Sequence, residues 1–444
     1  MHPRGWVFVI AAVAFLPAVF LPVQAVADFF YLPKVLMLLG LELALALVLL
    51  PQVRKRWGPG ASLHRSPRNP LLGPVLLYWA VLGLATLGSV NPAQSLMGAP
   101  FRWEGFITFL LYGGLALLIP AALQETRAPG VAARHLNQLL GWGLGVAVVL
   151  VAYGVLQSYG LDPMPRDPIR SGAAWWRTSA FSTLGNSNFF GTFCAMYLAL
   201  GGIRYLTGGD WPWLAGAGAA YYGMLISLSR GSWLAGGAAV MIVIALRALV
   251  GQRFSLRRLG ALALTVLTLT LLWRLADPHA SRRLDQFVQD TSAQTGTVGQ
   301  RLWIWKGTVR AIAGSPWLGY GPDTLGEVFP RYELPGRAAA GLQGWNVDRA
   351  HNDYLQVAVS SGLLGLAAYL LILLTAARSA WRVATSQAAP AVHRALAWSL
   401  GAGALAHLLA MGANLSTVSE SPPFWGLLGA MAALSLDTDV NVRH

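Results

Sequence analysis

Charge is scarce in this sequence. Only 11% of its 444 residues are Asp, Glu, Lys or Arg, whereas 55% are hydrophobic and the mean hydropathy is +0.52. A soluble domain carries about 25% charged residues. Less than half that density cannot cover a 47.5 kDa globule, which excludes an ordinary soluble enzyme, and the apolar excess excludes a disordered chain. Cysteine is nearly absent, and the single Cys194 excludes an internal disulfide framework. H-E-x-x-H, paired C-x-x-C, EF-loop, Walker and strand-linked G-x-G-x-x-G patterns are missing too. The one Asp-x-Asp, Asp437-Thr438-Asp439, lies in the C-terminal tail. No metal or other cofactor is expected, and ATP-driven transport and nucleotide-sugar chemistry lose their usual signatures.

Long apolar runs are abundant. A bilayer is crossed by about 17–25 mostly apolar residues, and twelve stretches qualify: 6–27, 29–50, 71–90, 105–123, 136–159, 180–203, 211–228, 231–249, 259–276, 354–377, 395–414 and the short 424–436. The expected fold class is therefore an all-α polytopic membrane protein of about 12 transmembrane helices. Ala25-Val26-Ala27 has the look of a signal-peptidase site, but the run before it is long for a signal, so an uncleaved first span is expected.

A net charge of +14 on its own points towards a nucleic-acid partner. Its distribution argues otherwise. With the N-terminus inside, the inward segments hold Arg4, then Arg54, Lys55, Arg56, Arg65 and Arg68, Arg127 and Arg134, Arg204, Arg247, Arg253, Arg257 and Arg258, Arg378, Arg382 and Arg394, and Arg443. The short outward loops hold only Lys34, Arg102, Arg166, Arg170, Arg177 and Arg230. This is the positive-inside asymmetry, an orientation signal rather than a nucleic-acid footprint.

Two outward connections are long. Residues 160–179 are proline-broken and polar, and 277–353 is too long to be a simple connector. The organisation expected is a membrane region over 1–276, an outer loop subdomain over 277–353, and further spans with a short tail over 354–444. Within the loop, Thr297-Val298-Gly299-Gln300 has capping-box spacing. Leu302, Trp305, Val309 and Ile312 then form one apolar helical stripe, expected to pack over the mouth of the bundle. A second short helix is expected after Gly319-Tyr320-Gly321-Pro322-Asp323.

Helices that enter the membrane from outside point their N-termini outward, where unsatisfied N–H groups favour anions. Lys34, Arg102, Arg230 and His351 stand at such positions, and Arg301 in the loop helix could complete a cationic cluster. An Arg there opposes the helix dipole unless an anion lies between them. Lys34 and Arg102, taken alone, also fit interfacial side chains reaching lipid headgroups. Arg230, in the tight turn Leu228-Ser229-Arg230-Gly231-Ser232-Trp233, has little room to reach away, whereas Arg301 also fits a solvated helix face. His351 precedes an apolar helix and suits proton transfer. Asp353 is an orienting partner or rival base, and Asn352 or Asp353 could equally cap the helix. His407 and Glu42 fall within spans, with no role assigned.

Ser229-Arg230-Gly231-Ser232, Gln300-Arg301-Leu302-Trp303-Ile304-Trp305, Ser315-Pro316-Trp317-Leu318-Gly319-Tyr320-Gly321 and Ala350-His351-Asn352-Asp353-Tyr354-Leu355-Gln356, in that order around a large outer loop, resemble the O-antigen ligase/polymerase family. Gly185-Asn186-Ser187-Asn188-Phe189 fits as well, and the likeness covers about residues 180–375. It implies a GT-C-like, metal-independent, inverting glycosyltransferase in the bacterial inner membrane, with its site on the periplasmic face. The implied donor is a glycan on undecaprenyl pyrophosphate. The acceptor is lipid A–core for a ligase (the favoured reading), another lipid-linked repeat for a polymerase, or a protein hydroxyl. By matching motif, Arg230 and Arg301 would hold the pyrophosphate and His351 would be the base, with Lys34, Arg102, Asn186 and Asp353 in support. The partners are then donor, acceptor and membrane lipids. A transporter of lipid-linked glycans or small anions is the rival of another class, although no inverted repeat is visible. A non-catalytic partner in an envelope complex fits a buried cationic cluster poorly.

Overall fold

A computed structural model describes residues 31–57, 69–123, 130–162, 179–276 and 297–441, so the expected first span (6–27) lies outside the described residues. Every element among them is helical. The long helices are α1 (Leu32–Trp57), α2 (Leu72–Leu87), α4 (Phe106–Leu123), α5 (Val131–Ser158), α6 (Ser187–Leu206), α7 (Trp211–Ile226), α8 (Arg230–Leu249), α9 (Leu256–Ala276), α12 (Asp353–Thr385), α13 (Ala391–Met411) and α14 (Ser421–Asn441). Short α3 (Pro92–Met97), loop helix α10 (Thr297–Gly314) and one-turn α11 (Leu325–Val328) lie between them. Among the described residues, seven helices are long and apolar enough to cross a membrane: α1, α4, α5, α6, α8, α9 and α12. The final apolar run, short by hydropathy, belongs to the 21-residue α14.

Helix α6 is the axis. It is apolar and enclosed on nearly every side, as a helix without a polar face must be. It packs against α7, α8 and α13, while α14 lies on α4 and α12 bridges α2, α13 and α14. Outward-facing leucines on α1, α2, α9 and α12 are what a lipid-facing surface requires.

The glycine-rich motif of the loop has a backbone explanation. Helix α12 breaks at Gly362, where φ is 68° and ψ −174°. The break leaves backbone groups without helical partners, and buried groups of this kind must be paired. The loop pairs them: Tyr320 N donates to Val359 O at 3.0 Å, Gly321 N to Ser360 O at 2.9 Å, and Leu363 N to Pro316 O at 2.7 Å. A side chain at Gly362 would collide with the Trp317 carbonyl. The loop is thus hydrogen-bonded into the kink of a membrane helix.

Candidate functional site

Chain connections meet at one end of the bundle. Asn352 caps α12 through Leu355 N (3.0 Å) and donates to Gly412 O (2.8 Å). Ser229 Oγ, in the turn between α7 and α8, donates to Asn188 Oδ1 (2.9 Å) and also pairs with Ser232 Oγ at 2.9 Å. The Gly185–Phe189 and Ser229–Ser232 motifs therefore form one polar web. Among the described residues, the non-glycine positions with positive φ are Phe101, Trp103, Ser182, Leu228, Asp323 and His351, all in these connections. Such backbone costs about 1–3 kcal/mol per residue and collects where function fixes geometry.

Arg230 opens α8 and reaches the loop helix, donating to Thr297 Oγ1 at 2.8 Å. One turn on, Arg301 is half-buried, and burial together with the Arg230 charge lowers its guanidinium from the ordinary value. His351 is also half-buried, with φ of 49°. Burial, then Arg301, then Arg349 push its imidazole down to about 4. So the turn before α8, the loop helix and the segment before α12 bring Arg301 within electrostatic reach of both Arg230 and His351, with Arg349 acting on the same imidazole. Two like charges are unfavourable at such range unless an anion lies between them.

The supporting residues behave differently. Lys34 is buried in the first turn of α1 rather than extended to an interface, and its Nζ donates to Thr183 O (2.6 Å) and Ser419 Oγ (3.0 Å). Arg102 is likewise no headgroup contact: its Nε lies 3.1 Å from Asp323 Oδ1, and a second nitrogen pairs with Asp348. Asn186 caps α6 by accepting from Asn188 N at 2.8 Å. Asp353 accepts from Ser416 N (3.2 Å) and Ser416 Oγ (2.9 Å), so its carboxylate serves the α13–α14 connection rather than the imidazole.

The capping box is not realised. Thr297 gives its hydroxyl to Arg230, and Gln300 reaches Gly341 O at 3.4 Å. The apolar stripe is also displaced: Ile304, Gly307, Thr308 and Ala311 are buried, whereas Leu302 and Val309 are exposed. Small residues let this helix approach its neighbours closely, and hydropathy alone picked the wrong face. The short helix expected after Asp323 is α11.

Three residues at this end had no signal in the sequence. Arg349 is buried 3.6 Å from Asp323 Oδ1 and acts electrostatically on His351. Asp323 also accepts from Ala99 N at 2.6 Å, which makes it the hub joining α3, Arg102 and the loop. Glu104 accepts from Tyr112 Oη at 2.9 Å, and burial pushes its carboxyl up to about 8 against the pull of Arg349. Glu104, Asp323, Arg349, Asp353 and Ser416 line a polar cavity of about 20 Å³, room for a water and not a sugar. His407 stacks on Phe424, ring centres 4.0 Å apart, inside the bundle.

Residues 215–370 match the family described as O-antigen ligase. This region is O-antigen ligase-like. It contains Arg230, Arg301, Arg349 and His351, while Lys34, Arg102, Glu104 and Asn186 lie before it. No curated protein matches the chain. Its apolar helices together with this O-antigen ligase-like region fit a multi-pass membrane protein.

Proposed function

We propose that this chain transfers a glycan from undecaprenyl pyrophosphate to an acceptor hydroxyl, acting as an O-antigen ligase with lipid A–core as acceptor. The observation that carries the reading is the convergence of Arg230, Arg301 and His351 from three separate segments. The positive-inside asymmetry supports a periplasmic position for this end, and an undecaprenyl-linked donor implies the bacterial inner membrane.

Arg230 and Arg301 hold the pyrophosphate, a forked donor against a charged acceptor. The acceptor oxygen attacks the anomeric carbon from the opposite face as the carbon–oxygen bond to phosphate breaks. The hydroxyl proton passes to His351, and undecaprenyl pyrophosphate leaves with the bond pair, its charge neutralised by the arginines. The anomeric centre inverts. His351, at about 4, is neutral near pH 7 and ready to accept. Bound pyrophosphate offsets the cationic repulsion that helped to depress it, so the base strengthens when the donor arrives. An apolar groove of about 680 Å³ between α5, α7 and α9, lined by Val151, Tyr222, Leu264 and Leu269, suits part of the polyprenyl tail.

The test is transfer by purified protein from defined undecaprenyl-pyrophosphate glycan to lipid A–core and to a second lipid-linked repeat. Product on lipid A–core supports the ligase. Product on the repeat alone makes the chain a polymerase, and no new glycosidic bond returns the transporter reading.

A further inference from the structure

The loop helix α10 carries a half-exposed apolar stripe whose residues belong to none of the buried apolar clusters among the described residues. Val298 (44% exposed), Leu302 (48%) and Val309 (52%) lie on one face, with half-buried Trp305 between them. Beyond the helix end, Trp317 is 66% exposed. The helix contains no Asp or Glu, and Lys306 and Arg310 are exposed beside the stripe. Arg301 borders the other side, towards His351. Apolar residues with Trp on one face and flanking cations on another are the composition of helices lying in a membrane–water interface.

The level of this helix is fixed by its end. Leu363 N bonds to Pro316 O, and Gly362 packs on Trp317. Leu363 and Leu364 begin the row of outward leucines on α12 that continues with Leu370, Leu371 and Leu374. Trp317 therefore sits where the apolar face of a membrane helix begins, the depth that interfacial tryptophan favours.

We infer that α10 docks on an anionic phospholipid surface, with Val298, Leu302 and Val309 entering the interface and Lys306 and Arg310 contacting lipid phosphates. This goes beyond the transfer reading and does not depend on it. It gives the helix that carries Arg301 an anchor at a fixed height above the bilayer.

Site-directed spin labelling of full-length protein in nanodiscs tests it. Nitroxides are placed by Leu302→Cys, Val309→Cys and Arg310→Cys, leaving the buried Cys194 as it is. In phosphatidylglycerol-containing discs, labels at 302 and 309 should collide with oxygen more than with an aqueous nickel chelate, and the label at 310 should do the reverse. Replacing phosphatidylglycerol by phosphatidylcholine, or adding K306E and R310E, should lower the oxygen-to-nickel ratio at 302 and 309 by about fivefold. Equal nickel access at 302, 309 and 310 would overturn the proposal. Protection at 302 and 309 from both reagents in either lipid would also overturn it, showing cover by protein such as residues 277–296. Dipolar broadening between labels would assign the face to a second copy instead. Glycan transfer measured on the same discs reads the enzymatic account separately.

Discussion

On the proposed reading, Arg230 and Arg301 are the side chains on which donor affinity rests. A hydrogen bond to a charged group contributes about 1.5–3 kcal/mol. Arg230→Ala or Arg301→Ala should therefore reduce transfer by roughly 10- to 150-fold each, measured as initial rate at limiting donor, with membrane insertion unchanged. His351→Ala should stop turnover and leave donor Kd nearly intact. The pH profile carries a direction as well. A base must be unprotonated, so activity falls as pH drops through its pKa. In free enzyme that value is about 4, and pyrophosphate between the cations raises it. The acid limb of kcat should thus lie at higher pH than that of kcat/KM, and Arg301→Ala should move the limb of kcat/KM upward. The placement of Arg230, Arg301 and His351 near the starts of helices was legible because each stands in a short motif at a helix boundary. Arg349 was not, since its significance rests on burial against Asp323, 26 positions away, and on proximity to His351.

Among the elements, the connection between α10 and α12 is held by two different devices. One is the backbone joint at the Gly362 kink. Gly362→Ala places a side chain against the Trp317 carbonyl at a positive φ, so the loop should detach, with greater protease sensitivity and loss of transfer. The other is the ion-pair hub at Asp323, shared by Arg102 and Arg349. Removing one partner of a buried pair typically costs about 3–5 kcal/mol. Asp323→Ala should therefore lower the thermal midpoint in detergent far more than Arg230→Ala does; equal midpoints would contradict the hub. Helix placement in this region was readable from spacing, but the buried face of α10 was not. Its contact surface pairs one large apolar residue, Ile304, with Gly307, Thr308 and Ala311, which permit close approach but carry little hydropathy. The capping-box residues were likewise diverted to tertiary partners.

For the whole molecule, composition alone identified an all-helical membrane protein, because an apolar chain with so little charge has few other ways to satisfy its backbone. Apolar runs located the long helices of the bundle, with ends displaced by up to eight residues, as for α12. Polar helices carrying little hydropathy signal, such as α3, were invisible. The distances that make a site were invisible too, since they join segments up to hundreds of residues apart, as Lys34 with Ser419 shows. The central claim is that one diphosphate headgroup is held jointly by Arg230 and Arg301 and that His351 acts after binding. The direct test is the Kd of purified protein for undecaprenyl pyrophosphate. The account predicts at least about tenfold weaker binding in the R230A/R301A double variant and near-unchanged binding in H351A. An unchanged Kd in the double variant, or a loss confined to H351A, would contradict it.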